Sequence, residues 1–223
     1  VNTSAPSWPE VRALICDLYG TLLKVLPPRE DAAERWRSGL AALLPGPPPS
    51  LTAFNQLCRE IITGRNESQR QTGEAHPEVD WLEVILEALP TGDRGSATAI
   101  SRLHAECSRT CVAMPGAAEA LERFRKQGVL LGIASNAQDY TRLEFTGAGF
   151  RFGDFESELV FLSGEHGFAK PSPRVFSLLA ARLALRGIAP GEILMAGDSL
   201  ENDIQPATAA GWQTRLIGAE GWD

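Results

Sequence analysis

The chain has 223 residues, 43% of them apolar and 22% charged, which is enough to bury a core and ordinary for a soluble globular protein. Its formal net charge of -7 argues against a nucleic-acid-binding surface, which needs excess Lys and Arg, while allowing a small anionic substrate in a locally positive pocket. The longest apolar runs, such as VLLGIA at 129–134, are far too short to span a bilayer, and no basic segment followed by an apolar stretch opens the chain. A cytoplasmic location without membrane attachment is therefore expected. The four cysteines, Cys16, Cys58, Cys107 and Cys111, form no CxxC pair and read as reduced thiols. His104, Cys107 and Cys111 have the spacing of one helical face, but three soft ligands without a fourth favour packing over zinc. Sequons at Asn2 and Asn66 carry no meaning without a secretory route.

Residues 1–10 are polar and proline-containing and read as a loose lead-in. A strand is expected from about Val11 to Asp17, where an apolar run closes on one acid and a glycine-bearing turn. After Leu22 the pattern becomes helical. Pro27 and Pro28 break the chain, and four amphipathic helices are predicted in succession: about 29–44, a stripe from Leu51 to Ile62, 78–89 and 97–112. Trp36, Leu40, Phe54, Cys58, Ile85 and Ile100 lie on those stripes, which suit a small bundle. From Met114 helices and strands alternate. Helix 117–126 is stopped by Gly128, and VLLGIA is a strand ending at Ser135-Asn136. SELVFLS at 157–163 is a further strand, followed by a helix over 173–186 with proline in its first turn. EILMA at 192–196 ends at Gly197-Asp198, and TRLI at 214–217 is the last strand. Such alternation implies a parallel sheet covered by helices, an α/β fold, with the helical block 25–112 as an insertion.

In an open parallel sheet, ligands sit beyond the carboxyl ends of the strands. Asp17, Ser135-Asn136 and Asp198 each follow an expected strand, and Lys170 opens a helix, so all would meet at one edge. One anionic nucleophile, one hydroxyl, one ammonium and further acids suit attack on a group with developing negative charge. Taken singly, each also reads as a turn former, a helix cap or a surface charge. Taken in order they are more specific. DLYGTL at 17–22, the run MPGAAEALERFRKQGVLLGIASN at 114–136, FAKPSPRVF at 168–176 and GDSLENDI at 197–204 resemble motifs I to IV of the haloacid dehalogenase superfamily. The resemblance covers about 1–24 and 113–223 and implies a three-layer, Rossmann-like core there. It also implies that 25–112 is a helical cap inserted after motif I.

That resemblance implies a hydrolase, most readily a Mg²⁺-dependent phosphatase acting on a small phosphorylated metabolite. Asp17 would be the nucleophile and form an aspartyl-phosphate. Mg²⁺ would be held by Asp17, Asp198 and the main-chain carbonyl of Tyr19, with Asp203 in support. Ser135, the main-chain amide of Asn136 and Lys170 would hold phosphoryl oxygens, and Thr21 would bond the nucleophile or the phosphate. The chain departs from the family's phosphatases at Tyr19, where they carry a second Asp that protonates the leaving group and activates water. A phenol with a pKa near 10 is a poor base, and losing a general acid–base costs a factor of roughly 10² to 10⁴. The residues then describe a slow phosphatase, with the Tyr19 phenol as a hydrogen-bond donor to substrate.

DLYGTL is also how the family's metal-independent 2-haloacid dehalogenases write motif I, with Asp attacking carbon. Asp198 and Asp203 speak against that alternative, as does Phe176, where those enzymes usually carry Tyr. Arg29, Arg35 and Arg37 are the candidates for the substrate-carboxylate arginine of such an enzyme. A third reading, motivated by Tyr19 alone, is a catalytically weak binding protein on the same scaffold. His76, His104 and His166 read as structural, with His166 the nearest to a motif. Trp36 and Trp81 fit a cleft lining and a core equally well. The residues carry no signal of oligomeric state.

Overall fold

The structure, a computed structural model, describes residues 10–222. Except for Glu10, the polar lead-in expected over 1–10 lies outside the described residues, as does the Asn2 sequon. In chain order the first elements are β1 (Ala13–Cys16), β2 (Leu23–Leu26), α1 (Ala32–Leu43), α2 (Leu51–Gln71), α3 (Trp81–Ala88), α4 (Arg94–Ser108) and β3 (Thr110–Ala113). There follow α5 (Ala117–Lys126), β4 (Leu130–Ser135), α6 (Thr141–Gly147), β5 (Val160–Leu162), α7 (Pro173–Ala184), β6 (Ile193–Gly197), α8 (Gln205–Ala209) and β7 (Gln213–Leu216).

Five strands form a parallel sheet in the order β5-β4-β1-β6-β7. Strands covered on both faces read as unbroken apolar runs, and all four residues of β1, ALIC, are buried. Alternate side chains supply the two covering layers. Leu14, Cys16, Ile133 and Leu194 pack with Leu121 and Phe124 of α5 and Phe145 of α6. Ala13, Ile15, Ile193 and Met195 pack with Val175, Phe176, Leu179 and Leu183 of α7. Each fully buried Leu or Ile there contributes about 1.5–3 kcal/mol. The result is a three-layer α/β core. Cys16 is in register with Ile133 on one side and Ala196 on the other. Asp17, Ser135 and Asp198 therefore stand at the same, carboxyl, edge.

Helices α1 to α4 enclose an apolar cluster of their own, in which Trp36, Leu40, Phe54, Val84, Ile85, Ile100 and Cys107 are all fully buried. Side-chain caps fix three of their starts: Ser50 accepts from Ala53 N, Asp80 from Leu82 N and Asp93 from Ser96 N. The loop before α3 docks this helical unit on the core. Gln138 donates to the Val79 carbonyl and accepts from Trp81 N, and Ser163 Oγ donates to Glu78 Oε2 at 2.7 Å. None of the described helices is long and apolar enough to cross a membrane.

Several boundaries depart from expectation. The helix expected to run from 97 to 112 starts at Arg94 and ends at Ser108. Beyond it the chain extends, and β3 pairs antiparallel with β2, from Leu23 opposite Ala113 to Leu26 opposite Thr110. Cys111 therefore lies in a strand, off the helical face that carries His104 and Cys107. The strand expected over 157–163 is shorter, because Ser157–Leu159 forms a 3₁₀ turn before β5. The periodicity also gave no warning of α6, of α8, or of the wide π-type turn over Leu200–Ile204 that leads into α8.

Candidate active site

Each side chain of the site is delivered by the end of a buried strand or the loop that follows it. Asp17 comes directly after β1 and is 6% exposed. Lys170, 4% exposed, precedes α7, and its ammonium donates to Asp17 Oδ1 at 2.7 Å and to Asp203 Oδ1 at 2.5 Å. Asp203, on the wide turn after β6, is 1% exposed, and its second oxygen accepts from Ser199 N at 3.1 Å. Both of its oxygens are thus engaged within the protein. Burial alone would lower the pKa of Lys170, but the carboxylates of Asp17 and Asp203 raise it above its usual value, so the ammonium stays charged.

Asp198 follows β6 and is more open to solvent. One carboxylate oxygen from each of Asp17, Asp198 and Asp203 lies within 4.8 Å of the others, and this is the one such acidic, His or Cys cluster among the described residues. Burial first, and then the charges of Asp17 and Asp203, raise the pKa of Asp198. Gly20 makes the cluster possible. Its φ is +78°, and a Cβ there would lie 2.0 Å from Asp198 Oδ2. Gly197 plays the same part beneath Asp203, where a Cβ would meet the carboxylate at 2.4 Å.

Two hydroxyls anticipated as ligand-binding are buried without a partner: Thr21 Oγ1 and Ser135 Oγ. A buried hydroxyl left unbonded costs about 1–3 kcal/mol, and beside the acid cluster a ligand could complete the bonding. The Asn136 side chain has a task apart from the main-chain amide expected to bind phosphate. It donates from Nδ2 to the Lys170 carbonyl at 2.9 Å and accepts from Lys170 N at 2.8 Å, which locks the backbone carrying the lysine.

Tyr19 is where the structure adds most. Its phenol does not stand free as a donor to substrate. It donates to Glu144 Oε2, shares a hydrogen bond with Thr141 Oγ1 at 2.6 Å and accepts from Arg109 Nη2 at 3.0 Å. Arg109 Nε also pairs with Glu144 Oε1 at 2.7 Å, and its guanidinium lies 4.6 Å from the centre of the Tyr19 ring. Burial, with a further push from Glu144, raises the phenol well above its ordinary pKa. Sequence reasoning missed Arg109, Thr141 and Glu144, since nothing local ties them to motif I.

The remaining candidates fall outside the cluster. His166 stacks on Phe161, with ring centres 4.4 Å apart, and His104 lies among Trp36, Phe54 and Trp81 inside the helical unit. Trp36 and Trp81 are buried there too, so neither lines an open cleft. Phe176 is 1% exposed and packs in the core beneath α7. His76 contributes its carbonyl, which accepts from Ala169 N.

The model of the haloacid dehalogenase-like hydrolases matches residues 11–211. The chain belongs to that family. Among curated relatives, a phosphoglycolate phosphatase of Thiobacillus denitrificans is 31% identical over 202 residues, which is 90% of this chain and 80% of that one. A phosphoserine phosphatase of Thermus thermophilus is 36% identical over 98 residues, 44% of this chain, and only 37% of the relative's length is spanned. Of solved structures, an L-2-haloacid dehalogenase is 25% identical with a TM-score of 0.54, covering 94% of this chain and 87% of its own. A family enzyme of Bacteroides thetaiotaomicron, in complex with magnesium and inorganic phosphate, shares the fold at 20% identity and a TM-score of 0.55, covering 94% and 95%. This family member is a hydrolase, with phosphatases among its curated relatives.

Proposed function

We propose that the protein is a Mg²⁺-dependent phosphatase of small phosphorylated metabolites, with Asp17 as nucleophile. One observation carries the reading: the carboxylates of Asp17, Asp198 and Asp203 converge to within 4.8 Å around the lysine, at the edge where two buried hydroxyls lack partners. An all-oxygen acidic set fits Mg²⁺, and Asp17, Asp198 and the Tyr19 carbonyl would hold it, with Asp203 in support through Lys170. When bound, the ion offsets charge between the nucleophile and the phosphoryl group. The Asp17 carboxylate attacks phosphorus, the ester P–O bond breaks and the alcohol leaves with a proton from solvent. Water then cleaves the aspartyl-phosphate, freeing phosphate and restoring Asp17. Thr21, Ser135, the Asn136 amide and Lys170 hold the phosphoryl oxygens through both steps. Tyr19, with its phenol committed to Glu144, moves no proton, and turnover is correspondingly slow. The helical unit, 25–112, acts as the cap over a core of 1–24 and 113–223.

A second reading is favoured by Tyr19 itself: Asp17 attacks carbon and displaces halide without a metal. Asp198, packed on Gly20, has no task in that reaction. The test is phosphate release from an aryl phosphate with Mg²⁺ and with EDTA, beside chloride release from a 2-chloro acid, using Asp17→Asn as control. Phosphate release that needs both Mg²⁺ and Asp17 upholds the phosphatase. Chloride release indifferent to EDTA transfers the case to the dehalogenase. Phosphate analogues that bind with Mg²⁺ without any turnover would point to a binding protein.

A further inference from the structure

A second concentration of charge lies beyond Tyr19, away from Asp17. A cleft of about 380 Å³ opens between α1, α4, β3 and α6, and its charged lining is Arg29, Arg35, Arg102, Arg109, Glu106 and Glu144. That volume falls within the range of small-molecule sites, roughly 300–1,000 Å³. Four guanidiniums face two carboxylates there, in a chain whose formal net charge is -7. Internal pairing uses some of the positive charge. Arg35 meets Glu106 at 2.8 Å, Arg29 meets Asp31 at 3.3 Å, and Arg109 is held by Glu144. Arg102 is exposed and has no hydrogen bond or ion pair among the described residues. Two separate stretches of chain, 29–35 and 102–109, therefore converge cations on one concavity and leave an excess over its two carboxylates.

We propose that this cleft binds a small polyanion, seated on Arg102 and Arg35, at a site separate from the hydrolase centre. Planar guanidinium forks match carboxylate and phosphoryl oxygens equally well, so the ligand class is a di- or tricarboxylate or a metabolite with two or more phosphoryl charges. Asp17, Ser135 and Lys170 do not line the cleft, and neither does Tyr19, whose ring is covered by the lining residue Arg109. The inference stands whichever reaction Asp17 performs.

Calorimetric titration of the full chain in EDTA, with citrate in one arm and inorganic pyrophosphate in the other, tests it. Saturable 1:1 binding is expected in at least one arm, weakened about tenfold or more by Arg102→Glu and by Arg35→Gln, and retained in Ser135→Ala. Arg102 is exposed, so its reversal disturbs no packing. Citrate alone binding defines a carboxylate site, and pyrophosphate alone a phosphoryl site. No binding in either arm overturns the proposal. So does binding that survives both arginine variants or disappears in Ser135→Ala, since the anion then occupies the hydrolase centre.

Discussion

At the carboxyl edge of the sheet two buried acids share one ammonium and a third acid stands beside them, whereas the interior of the helical unit holds an imidazole among aromatic rings. The two regions answer burial in opposite ways. Lys170 keeps its charge because the paired carboxylates raise its pKa against the pull of burial. His104, packed against Trp36, Phe54 and Trp81, is pushed by burial, and then by Arg109, down to about 4. It is neutral at neutral pH. Unpartnered buried atoms occur in both places: Thr21 Oγ1 and Ser135 Oγ at the edge, His104 Nδ1 and Trp81 Nε1 inside the helical unit. An orphaned polar atom alone is therefore no mark of a site. The ion pairs of Lys170, and the glycines that let the acids approach, set the edge apart.

The comparison breaks most visibly at the lysine. Lys170→Met leaves Asp17 and Asp203 buried without their cation, and removing one partner of a buried pair costs about 3–5 kcal/mol. Urea unfolding should show a loss of that size along with complete loss of hydrolysis. A variant as stable as the parent would mean that the ion pairs are not what holds the edge. Ser135→Ala separates ligand-binding from structural hydroxyls. Because Ser135 Oγ has no partner in the protein, its removal should leave stability almost unchanged, while kcat/KM falls by about 10²- to 10³-fold, as for one lost transition-state donor. A stability loss without a rate loss would reverse that assignment.

The imidazole sharpens the other half. His104 has a folded-state pKa below its unfolded value, so the stability tied to its neutral form is present above about pH 6.5. That stability is lost as pH falls towards about 4, because the unfolded chain takes up the proton first. The decline is on the order of 3 kcal/mol, and His104→Gln should remove it. Unfolding midpoints across that window, parent against variant, make the check. An identical slope in both would assign the acid sensitivity to the carboxylates.

Much of the edge was legible because its signals are local. An apolar run followed at once by an acid or Ser-Asn shows β1, β4 and β6 and the residues they deliver, and Gly20 and Gly197 sit beside the acids they accommodate. What escaped is non-local. Strands β2 and β3 are four residues each and acquire their conformation from pairing across the whole helical insertion, with no period of their own. Arg109 and Glu144 reach the Tyr19 phenol from 90 and 125 residues away. The identity of Tyr19 therefore gave the chemistry in doubt but not the partners that decide it.

Those partners make a smaller prediction. If the phenol were an acid–base, Tyr19→Phe would cost roughly 10² to 10⁴ in rate. With its proton committed to Glu144, the loss should stay under about tenfold, alongside about 1–3 kcal/mol of stability for the broken hydrogen bonds. Phosphate-release rates and urea midpoints measured on one preparation distinguish the two. A larger rate loss at unchanged stability would return Tyr19 to the reacting atoms.

The smallest effect expected is at the far end of the chain, where Trp222 Nε1 donates to the Thr21 carbonyl at 2.8 Å and Trp222 N to the Pro115 carbonyl at 2.9 Å. The contact is close-fitted: Gly221 has a φ of +97°, and a Cβ there would lie 2.3 Å from the Pro115 carbonyl oxygen. Trp222→Phe keeps a ring in the same pocket and deletes one hydrogen bond, so stability should fall by about 1 kcal/mol. The kinetic split carries more information than the midpoint. Thr21 offers its hydroxyl to the site and its carbonyl to Trp222, so loosening the carbonyl should disturb the hydroxyl's aim. A positioning role predicts a drop in kcat exceeding any rise in KM, whereas a purely structural contact would lower the unfolding midpoint and leave both constants alone.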